Sequence, residues 1–177
     1  QCEQEINDGL LPAPHIVEPL EVKDPPPVGG PHHPCWARWV EHTQEIEAGH
    51  WVHNLEHGGI VFLYRCPEGC DDERARLRGL LALPRTLLTP YADLPTRFAA
   101  LSWGHRLLSD CLDLEAFEGF HERHLDRGPE SLDSAPSSGC HEERREGSLA
   151  PDESATAAPA GSILDAGPTD ASVATAP

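Results

Sequence analysis

The feature that most restricts the fold of this 177-residue chain is where its aromatic side chains stop. Every Trp, Tyr and Phe lies between Trp36 and Phe120, and there is none from Ser131 to Pro177. A chain offsets its ordering entropy by burying large apolar side chains. The Ala, Pro, Ser, Asp and Glu that dominate residues 131–177 cannot do this, so that stretch is expected to be a disordered acidic tail. The globular unit is placed at residues 15–130, after an N-terminal extension over 1–14. Its entry, "DPPPVGGPHHP", predicts a Pro-rich arm laid over the domain in extended or polyproline form.

Inside that unit the apolar pattern alternates between strand and helix signals. "IVFLYR", residues 60–65, is β-branched and aromatic and reads as a buried strand. "CPEGC" turns the chain, and "DDERARLRGLLAL" reads as a helix with acids first, arginines later and an apolar face at 77, 80 and 81. Pro84 ends it. "RTLLTPY" and "RFAALSW" are two further strand candidates, separated by a turn around Asp93-Leu94-Pro95. "DLEAFEGFHERHL" is a second amphipathic helix, with Leu114, Phe117, Phe120 and His121 inward, and Gly128-Pro129 stops it. The order β-α-β-β-α predicts an α+β domain, a small mixed sheet covered by two helices.

Charge removes one class of partner. Thirteen basic against thirty acidic residues give a formal charge of −17, and nucleic-acid binding depends on clustered Lys and Arg. No apolar run is long enough to span a bilayer. Six cysteines (Cys2, Cys35, Cys66, Cys70, Cys111 and Cys140) are many for a cytosolic protein and fit an oxidising compartment. The chain opens Gln1-Cys2 without an initiator Met, so an upstream targeting segment is expected. Gln before Cys2 suits a lipoprotein cleavage site poorly.

The densest chemistry is "HWVHNLEHGG", residues 50–59. His53 and His57 are four apart, an interval that projects both imidazoles to one side on a helix or a strand. His53-Asn54-Leu55-Glu56-His57 matches H-x-x-E-H, in which both His bind zinc from one long helix and Glu acts as base. Gly58-Gly59 and a strand follow at once, which leaves little room for that helix. A non-proteolytic metal site needs three or four donors, and His15, His32, His33 and Cys35 offer them in or near the Pro-rich arm. The opposing reading is a His53 bonded to a backbone carbonyl beside a turn-capping His57, with no metal.

Three readings fit Cys66 and Cys70: a local disulfide, a soft-metal thiolate pair, or a redox dithiol. Asp71, Asp72 and Glu73 oppose a reactive thiolate there. His121 and His124 lie on an amphipathic stripe and read as structural. Trp51 and Trp103 read as core. No phosphate loop, nucleophile elbow or basic patch appears.

Taken together, "PPPVGGPHHP", Trp36, "VHNLEHGGIVFLYRCPEGC", "TPYADLPTRFAALSWG" and "GPE" resemble the bacterial family called domain of unknown function 3105. The similarity runs in order from about residue 15 to 130 and rests on His15, Pro25, Pro26, Gly29, Gly30, Pro31, His32, Trp36, Val52, His53, Leu55, Glu56, His57, Gly58, Trp103 and Gly104. "RWVEHT" replaces a Gly-x-Tyr segment of the family pattern, and "CPEGC" belongs to one branch of it. The resemblance implies an extracytoplasmic setting, brings no activity with it, and singles out His15, His32, His53 and His57.

The resulting expectation is an extracytoplasmic, periplasmic or secreted domain that binds copper or zinc. His53, His57, His32 and His15 would be the ligands, with Glu56 accepting from a ligand imidazole and so orienting it. Copper gains if Cys66 and Cys70 are reduced and close. The expected role is metal binding, storage or delivery, or support of a membrane partner. Two rivals stand beside it: an enzyme, either a thiol-disulfide oxidoreductase or a metal-dependent hydrolase, and a non-catalytic interaction module.

Overall fold

The computed structural model describes residues 2–130; the expected tail, 131–177, lies outside the described residues, and Cys140 with it. Five strands and three helices follow in the order β1 (Glu3–Asn7), α1 (Ala48–Glu56), β2 (Ile60–Tyr64), α2 (Asp71–Gly79), β3 (Thr86–Pro90), β4 (Phe98–Ser102), β5 (His105–Ser109) and α3 (Leu114–His124). They build a mixed sheet of order β1-β5-β4-β2-β3, in which only β2 and β3 run parallel. The α+β class and the mixed sheet are those the sequence predicts.

The central strand β2 is buried on both faces, so its sequence is a continuous apolar run rather than an alternation. Parity sorts its side chains into two cores. Ile60, Phe62 and Tyr64 meet Leu77, Phe117 and Phe120 from α2 and α3. Val61 and Leu63 meet Trp51, Val52 and Leu55 from α1. Acids open α2 and arginines close it, in accord with the helix dipole. At the start of α3 the Asp113 carboxylate accepts from the amides of Glu115 and Ala116, at 3.0 and 3.3 Å.

The structure corrects the expected β-α-β-β-α order by adding three elements, and the expected two helices become three. One addition is β1, a polar edge strand paired with β5 from Glu3 opposite Ser109 to Asn7 opposite His105. The Cys2–Cys111 disulfide fastens its start, so residues 3–7 join the sheet. Another is β5, whose apolar pattern is broken by Arg106, a buried guanidinium paired with Asp8 and Asp24. The third is α1, which is buried nearly all round and has no side-chain cap at Glu47. Although consecutive in sequence, β3 and β4 are not neighbours in the sheet. The parallel β2-α2-β3 crossover carries β3 to the sheet edge, and β4 returns to the other side of β2.

The arm covers the α1 face of the sheet. Val28 and Ala37 enter that core, with Leu11, Leu20, Val22 and Trp39 packed at its margin. One buried side chain pins it: Asn54 accepts from the Ala37 amide at 2.7 Å and donates to the Ala37 carbonyl at 2.8 Å. The arm is thereby held against the helix that carries His53.

Candidate metal centre

Two backbone features aim the histidines. The first is the end of α1. Gly58 has φ +77°, its amide donates to Leu55 O at 2.9 Å, and the Gly59 amide donates to Asn54 O at 2.9 Å. This is the Schellman ending that a glycine after the last helical turn permits. "HGG" is therefore a helix stop, with His57 as the residue that caps it. The segment after α3 presses on the same stop. A Cβ on Gly128 would lie 2.1 Å from Glu56 O, so only glycine allows this approach. The Glu130 carbonyl then accepts from His57 Nδ1 at 2.9 Å.

The second feature is a short parallel bridge between His15 and His32. The Ile16 amide donates to His32 O at 2.8 Å, and the His32 amide donates to Pro14 O at 3.1 Å. Two distant pieces of the arm are thus brought side by side above α1. Ligand atoms of His15, His32, His53 and Glu56 all lie within 4.8 Å of one another. From Glu56 Oε2, the Nε2 atoms of His32, His53 and His15 stand at 2.9, 3.6 and 3.8 Å. His32, His53 and Glu56 are buried, whereas the His15 side chain is 51% exposed and marks the solvent mouth.

The hydrogen bonds around the cluster settle which ring nitrogens carry protons. A carbonyl oxygen only accepts, so each imidazole nitrogen facing one must be N–H. His32 Nδ1 donates to Gly30 O at 2.8 Å, His53 Nδ1 to His33 O at 2.6 Å, and His57 Nδ1 to Glu130 O at 2.9 Å. In the neutral rings all three Nε2 atoms therefore present lone pairs. His53 Nε2 and His57 Nε2 face each other at 2.8 Å, and His32 Nε2 faces the Glu56 carboxylate. Acceptors this close repel unless a proton or another cation lies between them. Burial pushes the His53 imidazole down to about 3, with some opposition from its backbone hydrogen bond and reinforcement by His57, His32 and His15. A proton on His53 is thus disfavoured at neutral pH.

The family model described as protein of unknown function (DUF3105) matches residues 15–140. The chain belongs to this family. Neither the curated proteins nor the solved structures contain a match.

Around the cluster of this DUF3105 domain stand two indoles. Trp36 packs edge-on to His53 and His57, with ring centroids 5.2 and 5.0 Å away, and Trp103 packs edge-on to His32 at 5.9 Å. Cys66 and Cys70 form a disulfide and lie beyond the far end of β2, roughly 20 Å along the strand direction from its start at Ile60. Cys35, a candidate donor in the arm, is disulfide-bonded. His121 Nε2 donates to Pro84 O at 3.0 Å, and His124 pairs with Glu5 at 2.8 Å.

The structure brings His15, His32 and His53 together around the Glu56 carboxylate. His57 sits behind His53. The outer partners are the carbonyls of Gly30, His33 and Glu130, which no side-chain motif could announce. Asn54 and Gly128 are the supporting residues that sequence reasoning missed. Asn54 carried a faint signal, as the one uncharged polar residue between two histidines on a helix that buries almost every side chain.

Proposed function

We propose that this DUF3105 domain binds a transition-metal cation, zinc or copper, through His15, His32, His53 and Glu56, with His57 contributing from the inner side. The observation that carries the reading is the convergence of Nε2 lone pairs on a buried carboxylate. Each of His32, His53 and His57 commits its N–H to a backbone carbonyl, the usual outer partner of a metal-bound imidazole. The spacing supports it as well. A tetrahedral zinc with bonds of about 2.1 Å separates its donors by roughly 3.4 Å. The three distances from Glu56 to the imidazoles, 2.9, 3.6 and 3.8 Å, bracket that value.

Imidazole and carboxylate donors suit zinc and copper, and the Cys66–Cys70 disulfide adds no soft donor to tip the choice towards copper(I). Binding, storage or delivery fits better than hydrolysis, because Glu56 stands among the donors instead of apart from them as a base. The disulfides favour an oxidising, extracytoplasmic compartment. Among the described residues no helix is long and apolar enough to cross a membrane.

The test is elemental analysis of untagged protein, loaded with zinc or copper and then desalted. The expected result is about one retained ion per chain, lost in His32→Ala. Wild-type protein that retains only trace metal after loading would contradict the reading.

A further inference from the structure

The arm and α1 meet a second time, nearer the start of the helix, and the side chains there are also histidine and glutamate. The rings of His33 and His50 stack with centroids 4.6 Å apart and an interplanar angle of 15°. With Glu47 they bring three ligand atoms within 4.8 Å of one another. We infer that His33, Glu47 and His50 form a second, solvent-open site for a divalent transition-metal cation, about one helical turn from the buried cluster.

A carbonyl acceptor fixes the tautomer of one ring here too. His50 Nδ1 donates to Cys35 O at 2.9 Å, which leaves Nε2 as an acceptor directed at Glu47 Oε2, 4.0 Å away. His33 Nε2 contacts the same carboxylate oxygen and is shielded from solvent, so the two imidazoles converge on one carboxylate oxygen, an arrangement that a cation among them would stabilise. The carboxylate is itself fixed, since Glu47 Oε1 accepts from the Leu20 amide at 2.9 Å. The His33 ring is fixed too. A Cβ on Gly49 would stand 2.5 Å from His33 Cδ2, so the imidazole lies directly on the helix backbone.

Apart from His15 at the solvent mouth, the inner site is the more deeply buried of the two. Side-chain exposure is 15% for His33, 16% for His50 and 37% for Glu47, against 4% for His53 and 2% for Glu56. Two imidazoles and one carboxylate leave the fourth position of a tetrahedral ion to water, the arrangement of an exchangeable site. The positive end of α1 lies close by and weakens it further. The sites also share a part: the His33 carbonyl is the acceptor that orients His53. A comparable trio, Glu5, His105 and His124, is less suited because Glu5 is already paired with Arg123 at 2.7 Å.

Equilibrium dialysis of the untagged full chain against zinc tests the inference. Two bound equivalents of separable affinity are expected. The double variant Glu47→Gln/His50→Ala should bind one, with the tighter affinity unchanged, while His32→Ala/His53→Ala should keep only the weaker one. Gly49→Ala, which displaces the His33 ring without removing a donor, should weaken the outer site by about tenfold or more. If only the outer site exists, wild type binds one ion and Glu47→Gln/His50→Ala binds none. A Glu47→Gln/His50→Ala protein that folds and binds as many ions as wild type overturns the inference.

Discussion

The two faces of the sheet are covered in opposite ways. Under α2 and α3 the cover is two amphipathic helices, and the contact is almost wholly apolar, with Phe62, Phe117 and Phe120 at its centre. Under α1 the cover is one short helix and a long irregular arm. That layer buries His32, His53, Asn54, Glu56 and His57 beside Trp51 and Leu55. The first face holds the fold together by area removed from water. The second gives up some of that area to keep polar groups in fixed orientations. Polar groups packed this tightly are costly unless each finds a partner, and on the α1 face the proposed cation would supply the one still needed.

Variants can break this contrast. Phe117→Ala on the apolar face should cost about 3–5 kcal/mol in chemical denaturation, with no change in metal stoichiometry. A loss of metal there would mean the faces are not separable. Zinc at a free concentration near 100 times its Kd should stabilise the wild-type protein by about 2.7 kcal/mol. His53→Ala should abolish that gain while costing only about 1 kcal/mol without metal; an equal zinc response in both proteins would refute the assignment. Asn54→Ala crosses the divide. It removes both hydrogen bonds to Ala37, so a loss of about 2 kcal/mol should come with weaker metal binding as the arm detaches.

Acidity gives a gentler probe. The folded His53 imidazole titrates at about 3, well below the ordinary histidine range, and burial holds His42 and His124 low as well. The unfolded chain therefore binds more protons than the folded one at mildly acid pH. Stability of the metal-free protein should be flat above about pH 6.5 and should fall as pH drops from there towards 3. His53→Ala should flatten that slope. An unchanged slope would place the titrating group elsewhere.

The same contrast explains what could be read from the sequence. On the apolar face, β2, α2 and α3 follow periodicity and capping, and Asp113 and the acidic start of α2 mark their helix ends. On the polar face the cues conflict. α1 shows no clean period because nearly all its residues are buried, and Gly49 lowers its propensity further. β1 is a polar edge strand that depends on the Cys2–Cys111 disulfide and on β5, neither of which is local to it. The histidine spacing singled out the residues that α1 carries, while leaving open whether they lie on a helix or a strand. The gathering of imidazoles around Glu56 depended on the His15–His32 bridge, and the close approach of Gly128 to the end of α1 is likewise a tertiary fact. The carbonyls that fix the tautomers leave no trace in side-chain identity.

The central claim concerns protons and lone pairs, so it is tested most directly by 15N NMR of the histidine rings at neutral pH, with and without zinc. His32, His53 and His57 should each show a protonated Nδ1, and added zinc should shift the Nε2 resonances of His32 and His53 while leaving their Nδ1–H intact. Rings that remain doubly protonated, or Nε2 resonances that ignore the metal, would contradict the account.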